Sequence, residues 1–268
     1  MTVRVQCAQL SPVLGDPAGN RARSTAAVAS AAAAGAQVIV LPELVTSSYS
    51  FTSPEEALAG AIEPGDAVFS DWSRAAGGAV VVGGFAERGP DGVVYNSAAL
   101  VDASGVRAVY RKTHLWDEES LYFVPGDAPA PVVDTPVGRI GVLICYDLEF
   151  PEMTRSLAVR GAQLLTVPTN WPLVERPPGE RPPELIIGMA AARVNRMAIA
   201  CADRTGTERG QQWTAGTAIV DANGWVVTEP IADVGSVTAD LDLDVARSKN
   251  ISERNHLFDD RRPHIYAS

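Results

Sequence analysis

The sequence predicts a mixed, layered α/β domain containing two sheets, and three observations carry that expectation. Short apolar, β-branched runs alternate with helical segments through the first two-thirds of the chain. These strand-like runs outnumber the connections that a simple parallel sheet would use. Several of them read as hairpin pairs, which adds antiparallel strands to a parallel core.

Taken in order, "VRVQCAQL" reads as the first strand. Residues 17–34 are alanine-rich, which favours helix, and Gly35 supplies the stop. "AQVIVLPEL" and "GAVVVGGFAE" read as buried strands, and "YNSAALVDASGVRAVYRK" as two strands around a Ser-Gly turn. "GRIGVLICYD" is a strand entering the helix "FPEMTRSLAVRG", with Pro151 near its first turn and Gly161 at its end. "AQLLTVPTNW" and "RMAIACADR" add strands on either side of a helix around 184–195. "TAIVDANGWVVTE" predicts a hairpin in which Asn223-Gly224 supplies the positive φ angles of a tight turn. "SVTADLDLD" alternates as a half-exposed strand does. The stretch "VERPPGERPPE", 174–184, is too polar and proline-heavy for either regular element and predicts an ordered loop beside a pocket. No repeat or flexible linker divides the chain, so residues 1–268 are expected to form one domain.

Composition narrows the function classes. The formal net charge is −10 and no basic cluster offsets it, which disfavours nucleic-acid binding because phosphate contacts need clustered cations. The alanine-rich "STAAVASAAAAGAQVIVL" is the membrane candidate, but Ser30, Gly35 and Gln37 break it, and it reads better as a helix followed by a strand. "MTVRVQCAQL" lacks the layout of a secretory signal. Cys7, Cys145 and Cys201 lie far apart and make neither a disulfide framework nor a zinc motif, so a reducing, cytoplasmic compartment is expected.

Four polar residues stand where apolar runs give out. Glu43 follows "VIVLP", Lys112 follows "VRAVYR", Cys145 follows "GVLI", and Glu119 lies in "HLWDEESLYFVPG". Strand ends in α/β proteins are where pockets form. Taken singly each is ordinary: a cysteine after a strand is usually a small hydrophobe, and lysines and acids usually belong to the surface. Their conjunction is what points to chemistry. Cys145 sits at a strand-to-helix corner, where a helix dipole and a nearby lysine are expected to favour the thiolate. Cys7 and Cys201 fall inside strand-like runs and read as structural. A cysteine hydrolase also needs a base. The histidines are His114, His256 and His264, so a Cys-His pair stands as one option. Glu43 is the favoured one, provided a low-dielectric pocket raises its pKa toward neutrality.

"LPELVTSSY", "YRKTHLW", "ESLYFVPGD" and "LICYDLEFPE" occur in an order that resembles the successive motifs of the nitrilase, or carbon–nitrogen hydrolase, superfamily. The resemblance continues through "RSLAVRGAQLLTVPTNW", "DRTGTERG" and "DDRRPHIY", nearly the whole chain. It implies a four-layer α-β-β-α sandwich, commonly dimerised through its helical faces, and a Glu-Lys-Cys triad supported by a second glutamate. On this sequence Glu43 matches the general base, Lys112 the cationic residue, Cys145 the nucleophile and Glu119, rather than Glu118, the supporting acid. The backbone N–H of Tyr146 would share the oxyanion with Lys112. No metal or organic cofactor is implied, and the partners are a small amide substrate and a second copy of the chain.

Tyr146-Asp147 after the cysteine, where true nitrilases usually show Trp-Glu, is similar to the amidase and carbamoylase branches. Glu149 stands where omega-amidase-like members commonly carry arginine, so a pocket it borders would take a neutral or amine-bearing substrate. Ser48-Tyr49 replaces the family's usual Gly-Tyr. Tyr49, Trp116, Trp171 and Trp213 are the expected pocket walls, with "RPPGERPP" closing over them. An amidase acting on a small carboxamide is the leading expectation. An N-carbamoyl hydrolase, a nitrilase and an idle scaffold are the alternatives.

Overall fold

The computed structural model describes residues 1–266. The chain runs β1 (Thr2–Gln9), α1 (Pro17–Ala33), β2 (Val38–Val40), α2 (Pro54–Gly60), α3 (Ala67–Ala76) and β3 (Val80–Arg88). It continues through β4 (Val94–Asp102), β5 (Gly105–Arg111), β6 (Val132–Thr135), β7 (Gly138–Val142), α4 (Pro151–Val159) and β8 (Leu164–Pro168). Then come α5 (Pro183–Asn195), β9 (Ala198–Ala202), the short pair β10 (Thr207–Glu208) and β11 (Gln211–Gln212), β12 (Ala218–Val220), β13 (Gly235–Asp242) and α6 (Pro263–Tyr266).

Two larger sheets form, one in the order β13-β1-β2-β3-β4-β5 and one in the order β12-β9-β8-β7-β6. Each has a parallel centre, β1-β2-β3 or β7-β8-β9, and antiparallel flanks. Parallel neighbours need crossover connections, and α1, α3, α4 and α5 lie within those crossovers. Period-two alternation then decides which way each residue faces. Val38, Val40, Val80 and Val82 join Ile140, Leu164 and Ala198 of the other sheet in one apolar cluster between the sheets. Their alternates Ile39, Leu41 and Val81 pack with Val28 of α1 and Phe69 and Trp72 of α3. Leu157 of α4 and Leu185 and Ala192 of α5 cover the second sheet. The result is a four-layer α-β-β-α sandwich whose central strands are apolar on both faces, which is why they read as unbroken hydrophobic runs. Among the described residues no helix is long and apolar enough to cross a membrane.

Several elements differ from the sequence expectation. β2 is only three residues long, because Pro42 has no N–H for the ladder and the chain leaves the sheet there. Helices α2 and α3 lie outside that expectation, although Ser53 and Asp66 cap them by accepting from Glu56 and Val68 N–H, and Gly77 closes α3 at φ 58°. The Asn223-Gly224 turn has one positive φ, at Gly224 (88°). Asp221 organises it by accepting from the N–H groups of Asn223 and Trp225, both at 2.9 Å, and the return arm makes a lone bridge from Val226 to Val220 rather than a strand. The proline-rich stretch is a loop up to Pro182, but its last two residues open α5, with proline fitting the first helical turn.

Candidate active site

The site grows from strand ends. Glu43 follows β2, Lys112 follows β5, Cys145 follows β7, and Asn170 follows β8, while Asn96 points in from β4. Glu119 arrives on a tight 3-10 turn, Asp117–Leu121, where its Oε2 accepts from the Trp116 N–H at 2.9 Å.

Lys112 Nζ donates to Glu43 Oε1 at 2.7 Å and to Glu119 Oε1 at 2.8 Å, with all three side chains sealed from solvent at 0–2% exposure. Asn96 Nδ2 donates to the same two oxygens, at 2.7 and 3.3 Å. Asn170 Nδ2 holds the Glu43 carbonyl at 3.0 Å. Glu43 Oε2 is left without a hydrogen-bond partner among the described residues. A buried carboxylate oxygen with no partner is costly unless it has a task, and here it is the atom free to take a proton. Gly84 allows Glu43 to sit where it does. A Cβ on Gly84 would lie 2.4 Å from Leu44 N and 2.5 Å from Glu43 Cα, so only glycine lets β3 approach this backbone.

Cys145 adopts φ 45°, a left-handed conformation that a side-chain-bearing residue holds only when its surroundings impose it. Asp147 does much of the imposing. Its carboxylate accepts from the N–H of Ile144 at 3.3 Å, the N–H of His114 at 3.0 Å and the hydroxyl of Tyr110 at 2.8 Å. The His114 ring lies 2.8 Å from the same carboxylate and stacks on Phe150, with centroids 3.6 Å apart. His114 is therefore committed to Asp147, and His256 pairs with Asp259 in the tail. The carboxylates, not a histidine, surround the thiol.

Burial pushes the Glu43 carboxyl up to about 7, with Lys112 opposing and Glu119 reinforcing the rise. Burial alone would lower Lys112, but Glu119 and Glu43 outweigh it and hold the ammonium well above its ordinary value. Burial and then the Glu43 charge drive the Cys145 thiol well above its ordinary value, against the pull of Lys112. This corrects the expectation that the dipole and the lysine would favour the thiolate: desolvation and the acids outweigh both, and α4 begins only at Pro151. At neutral pH the cluster holds a protonated thiol, an ammonium and a carboxyl poised to exchange a proton, which titrate as a group.

A cavity of about 290 Å³ adjoins this cluster, with Glu119, Tyr49, Trp116, Phe123, Trp213 and Glu208 in its wall. Tyr49 reaches Glu119, and burial, followed by the charges of Glu119 and Glu43, raises its phenol well above the usual value. Its ring meets that of Trp213 edge to face, centroids 5.2 Å apart. Trp116, 40% exposed, stands at the mouth and packs edge to face on Tyr146.

Two expected wall residues are elsewhere. Glu149 lines a different cavity, with Glu152 and Arg155, between α4, α5 and the C-terminal tail. Four residues along a three-per-turn helix place it about 120° round from Cys145, so the two side chains diverge. Trp171 packs into the core, where a Cβ on Gly216 would lie 2.7 Å from its ring, and its neighbour Pro172 reaches the cavity instead. The proline-rich loop does not close over the cluster. Arg176, Glu180 and Arg181 line a neighbouring cavity of about 700 Å³ that shares Trp213 as a partition. Asn96, Asn170, Asp147 and Glu208 escaped the sequence reading. For Asn96 a signal existed, an amide between "VVY" and "SAALV" in an otherwise apolar strand.

This fold and this cluster describe a cysteine-bearing hydrolase of the α-β-β-α sandwich class. The sequence profile of the carbon-nitrogen hydrolase family matches residues 4–250, and the chain belongs to that family. It is 34% identical to a nitrilase of Pyrococcus abyssi over 98% of this chain and 99% of that one. It is 32% identical to the 2-oxoglutaramate amidase of Bacillus subtilis over 86% and 87% of the two chains. A glutamate-to-glutamine mutant of an amidase from Nesterenkonia sp. AN1 shares the fold with a TM-score of 0.80 and 31% identity, covering 98% of both chains, and its structure shows the result of Michael addition of acrylamide at the active site cysteine. A cysteine-to-alanine mutant of that amidase, with a TM-score of 0.81 and 30% identity over 98% of this chain and 95% of that one, is in complex with butyramide. The protein is thus an amidase-like carbon–nitrogen hydrolase.

Proposed function

We propose that the protein hydrolyses a small, uncharged primary amide to ammonia and a carboxylic acid through a thioester on Cys145. One observation carries this reading: a fully buried ammonium, Lys112, bridges two carboxylates beside a conformationally strained cysteine, with one carboxylate oxygen left open. Glu43 Oε2 takes the Cys145 proton as Sγ bonds to the amide carbon. Lys112 and the Tyr146 N–H stabilise the oxyanion, each donor worth about 3–4 kcal/mol of barrier. Glu43 returns the proton to the leaving nitrogen, the C–N bond breaks, and ammonia departs. Glu43 then deprotonates a water that attacks the thioester, releasing the acid and restoring the thiol. Glu119 holds Lys112 in place, and the raised carboxyl of Glu43 matches a base working near neutral pH. The small volume and aromatic wall of the cavity suit a short acyl group, as does the butyramide bound by the cysteine-to-alanine mutant of the Nesterenkonia amidase.

The test is ammonia release from a panel of amides, nitriles and N-carbamoyl compounds, repeated with Cys145→Ala. Turnover of short amides that vanishes in the variant supports the reading. Turnover confined to carbamoyl compounds, or surviving in the variant, ends it. We further infer self-association through α4 and α5, whose outer faces leave Val159, Ile186 and Val194 about half exposed. A monomeric sedimentation profile at micromolar concentration would rule that out.

A further inference from the structure

Glu208 performs no step of the proposed chemistry, yet it is buried at the cavity wall with its carboxylate shared between one turn of chain, residues 48–50, and Arg204. Its Oε2 accepts from the backbone N–H of Ser50 at 2.8 Å, from that of Tyr49 at 3.2 Å and from Arg204 Nη1 at 3.1 Å. Its Oε1 accepts from the hydroxyl of Ser48. Arg204, 1% exposed, also reaches Ser48 Oγ and the Pro12 carbonyl, each at 3.1 Å. Its guanidinium lies 4.6 Å over the Trp213 ring, and Trp213 in turn meets Tyr49. On the outer side of the same turn, Arg209 Nη1 donates to the Ser50 carbonyl at 2.8 Å.

What these contacts hold is strained. Ser48 has φ 72°, where a Cβ crowds the following carbonyl and glycine is the default residue. The next residue is Tyr49, whose phenol faces Glu119, Glu43 and Cys145. Burial works against an ionised Glu208, but Arg204 and the surrounding donors hold its carboxylate below the ordinary range, so the clamp is charged across neutral pH.

We propose that Glu208 is a positioning residue: with Arg204 as its counter-ion, it locks the strained 48–50 turn so that Tyr49 and Trp213 present a fixed wall to the substrate. The charge-assisted bonds to two successive N–H groups and a hydroxyl define the backbone of the wall, and the Arg204–Trp213–Tyr49 contacts, cation over ring and ring edge to face, define its surface.

This inference rests on the proposed amidase reading, and its test separates the two. Kinetics on one short amide are compared for wild type, Glu208→Gln, Tyr49→Ala and the double variant. Glu208→Gln is expected to lower kcat/KM by about tenfold or more, since small displacements of positioning groups are expensive. Because it acts through Tyr49, the double variant is expected to fall within about twofold of Tyr49→Ala alone, the tolerance of additivity. Adding Ser48→Gly to Glu208→Gln is expected to recover part of the loss, as glycine accepts φ 72° without a clamp. Losses that multiply, or a complete lack of rescue, overturn the proposal. A second readout needs no turnover: amide hydrogen exchange at Tyr49 and Ser50 is expected to quicken in Glu208→Gln, and unchanged exchange overturns the proposal even if the wild type hydrolyses no amide at all. Should Glu208→Gln fail to fold, Glu208→Asp keeps the charge opposite Arg204 while withdrawing from the turn, and it enters the same comparison with the same expectations.

Discussion

Replacing Glu43 with glutamine is expected to abolish turnover and, at alkaline pH, to stabilise the protein. In the wild type two carboxylates share one buried ammonium, so the sealed cluster carries an excess negative charge when both are ionised. Burial raises the Glu43 carboxyl from 4.5 to about 7. That higher proton affinity is equivalent to about 3 kcal/mol at roughly 1.4 kcal/mol per tenfold. Below 4.5 the carboxyl is protonated in both folded and unfolded chains and costs nothing. Between 4.5 and 7 the folded state keeps its proton while the unfolded state releases it, so wild-type stability falls as pH rises, and above 7 the full penalty applies. The substituted amide never ionises, and Lys112 keeps Glu119 as its counter-ion. Weaker hydrogen bonds to Lys112 and Asn96 offset about 1 kcal/mol of the gain. The net is a stabilisation of about 2 kcal/mol at pH 8 that disappears at pH 4.5. For a chain of this size that corresponds to about 4–8 °C in melting temperature. Melting curves of both proteins at pH 4.5, 6 and 8, with ammonia release measured alongside, read the effect. A difference in melting temperature that is the same at all three pH values would refute the electrostatic account of this cluster.

The acidic limb of kcat/KM is expected near pH 7, activity rising with pH as Glu43 loses its proton, and a rate profile with no transition between pH 5.5 and 8 would contradict this. Lys112→Met strands two buried carboxylates and removes an oxyanion donor. It is expected to cost about 3–5 kcal/mol of stability at pH 8 and about 10²–10³ in kcat, the stability loss shrinking at pH 4.5 as Glu43 takes up its proton. Gly84→Ala, which meets the Glu43 backbone rather than its carboxylate, is expected to displace that backbone and lower kcat by about tenfold or more, a loss visible in turnover at temperatures where circular dichroism still shows native signal.

Much of the site could be read from the sequence because its members follow apolar runs. Glu43, Lys112 and Cys145 each stand just beyond a strand, and the ordered motifs extended the reading to Glu119. The layering was readable for a related reason: Val38–Val40 and Val80–Val82 are apolar at every position, as strands covered on both faces are. What escaped notice depended on depth and direction, which residue spacing does not encode. The thiolate expectation failed because the dipole and lysine were visible in the sequence while the desolvation of Cys145 was not. Asn96 and Asn170 are amides whose burial alone makes them supports for Glu43. Glu149 was misplaced because a tight turn carries it about 120° away from the cysteine. Trp171 belongs to the core rather than the wall because the glycine that admits its ring, Gly216, lies 45 residues later in the chain, out of reach of any local pattern. The short β2 and the caps of α2 and α3, by contrast, were written in Pro42, Ser53 and Asp66.

The central claim is that Cys145 carries the acyl group. Rapid acid quenching of the enzyme during turnover of a short amide, followed by tryptic digestion, isolates the peptide of residues 140–155. The account predicts that this peptide gains the mass of the acyl group less one hydrogen, that the adduct maps to Cys145 and decays at the rate of turnover, and that Cys145→Ala shows neither adduct nor ammonia. An acyl adduct on any other residue, or undiminished hydrolysis by the alanine variant, would contradict it.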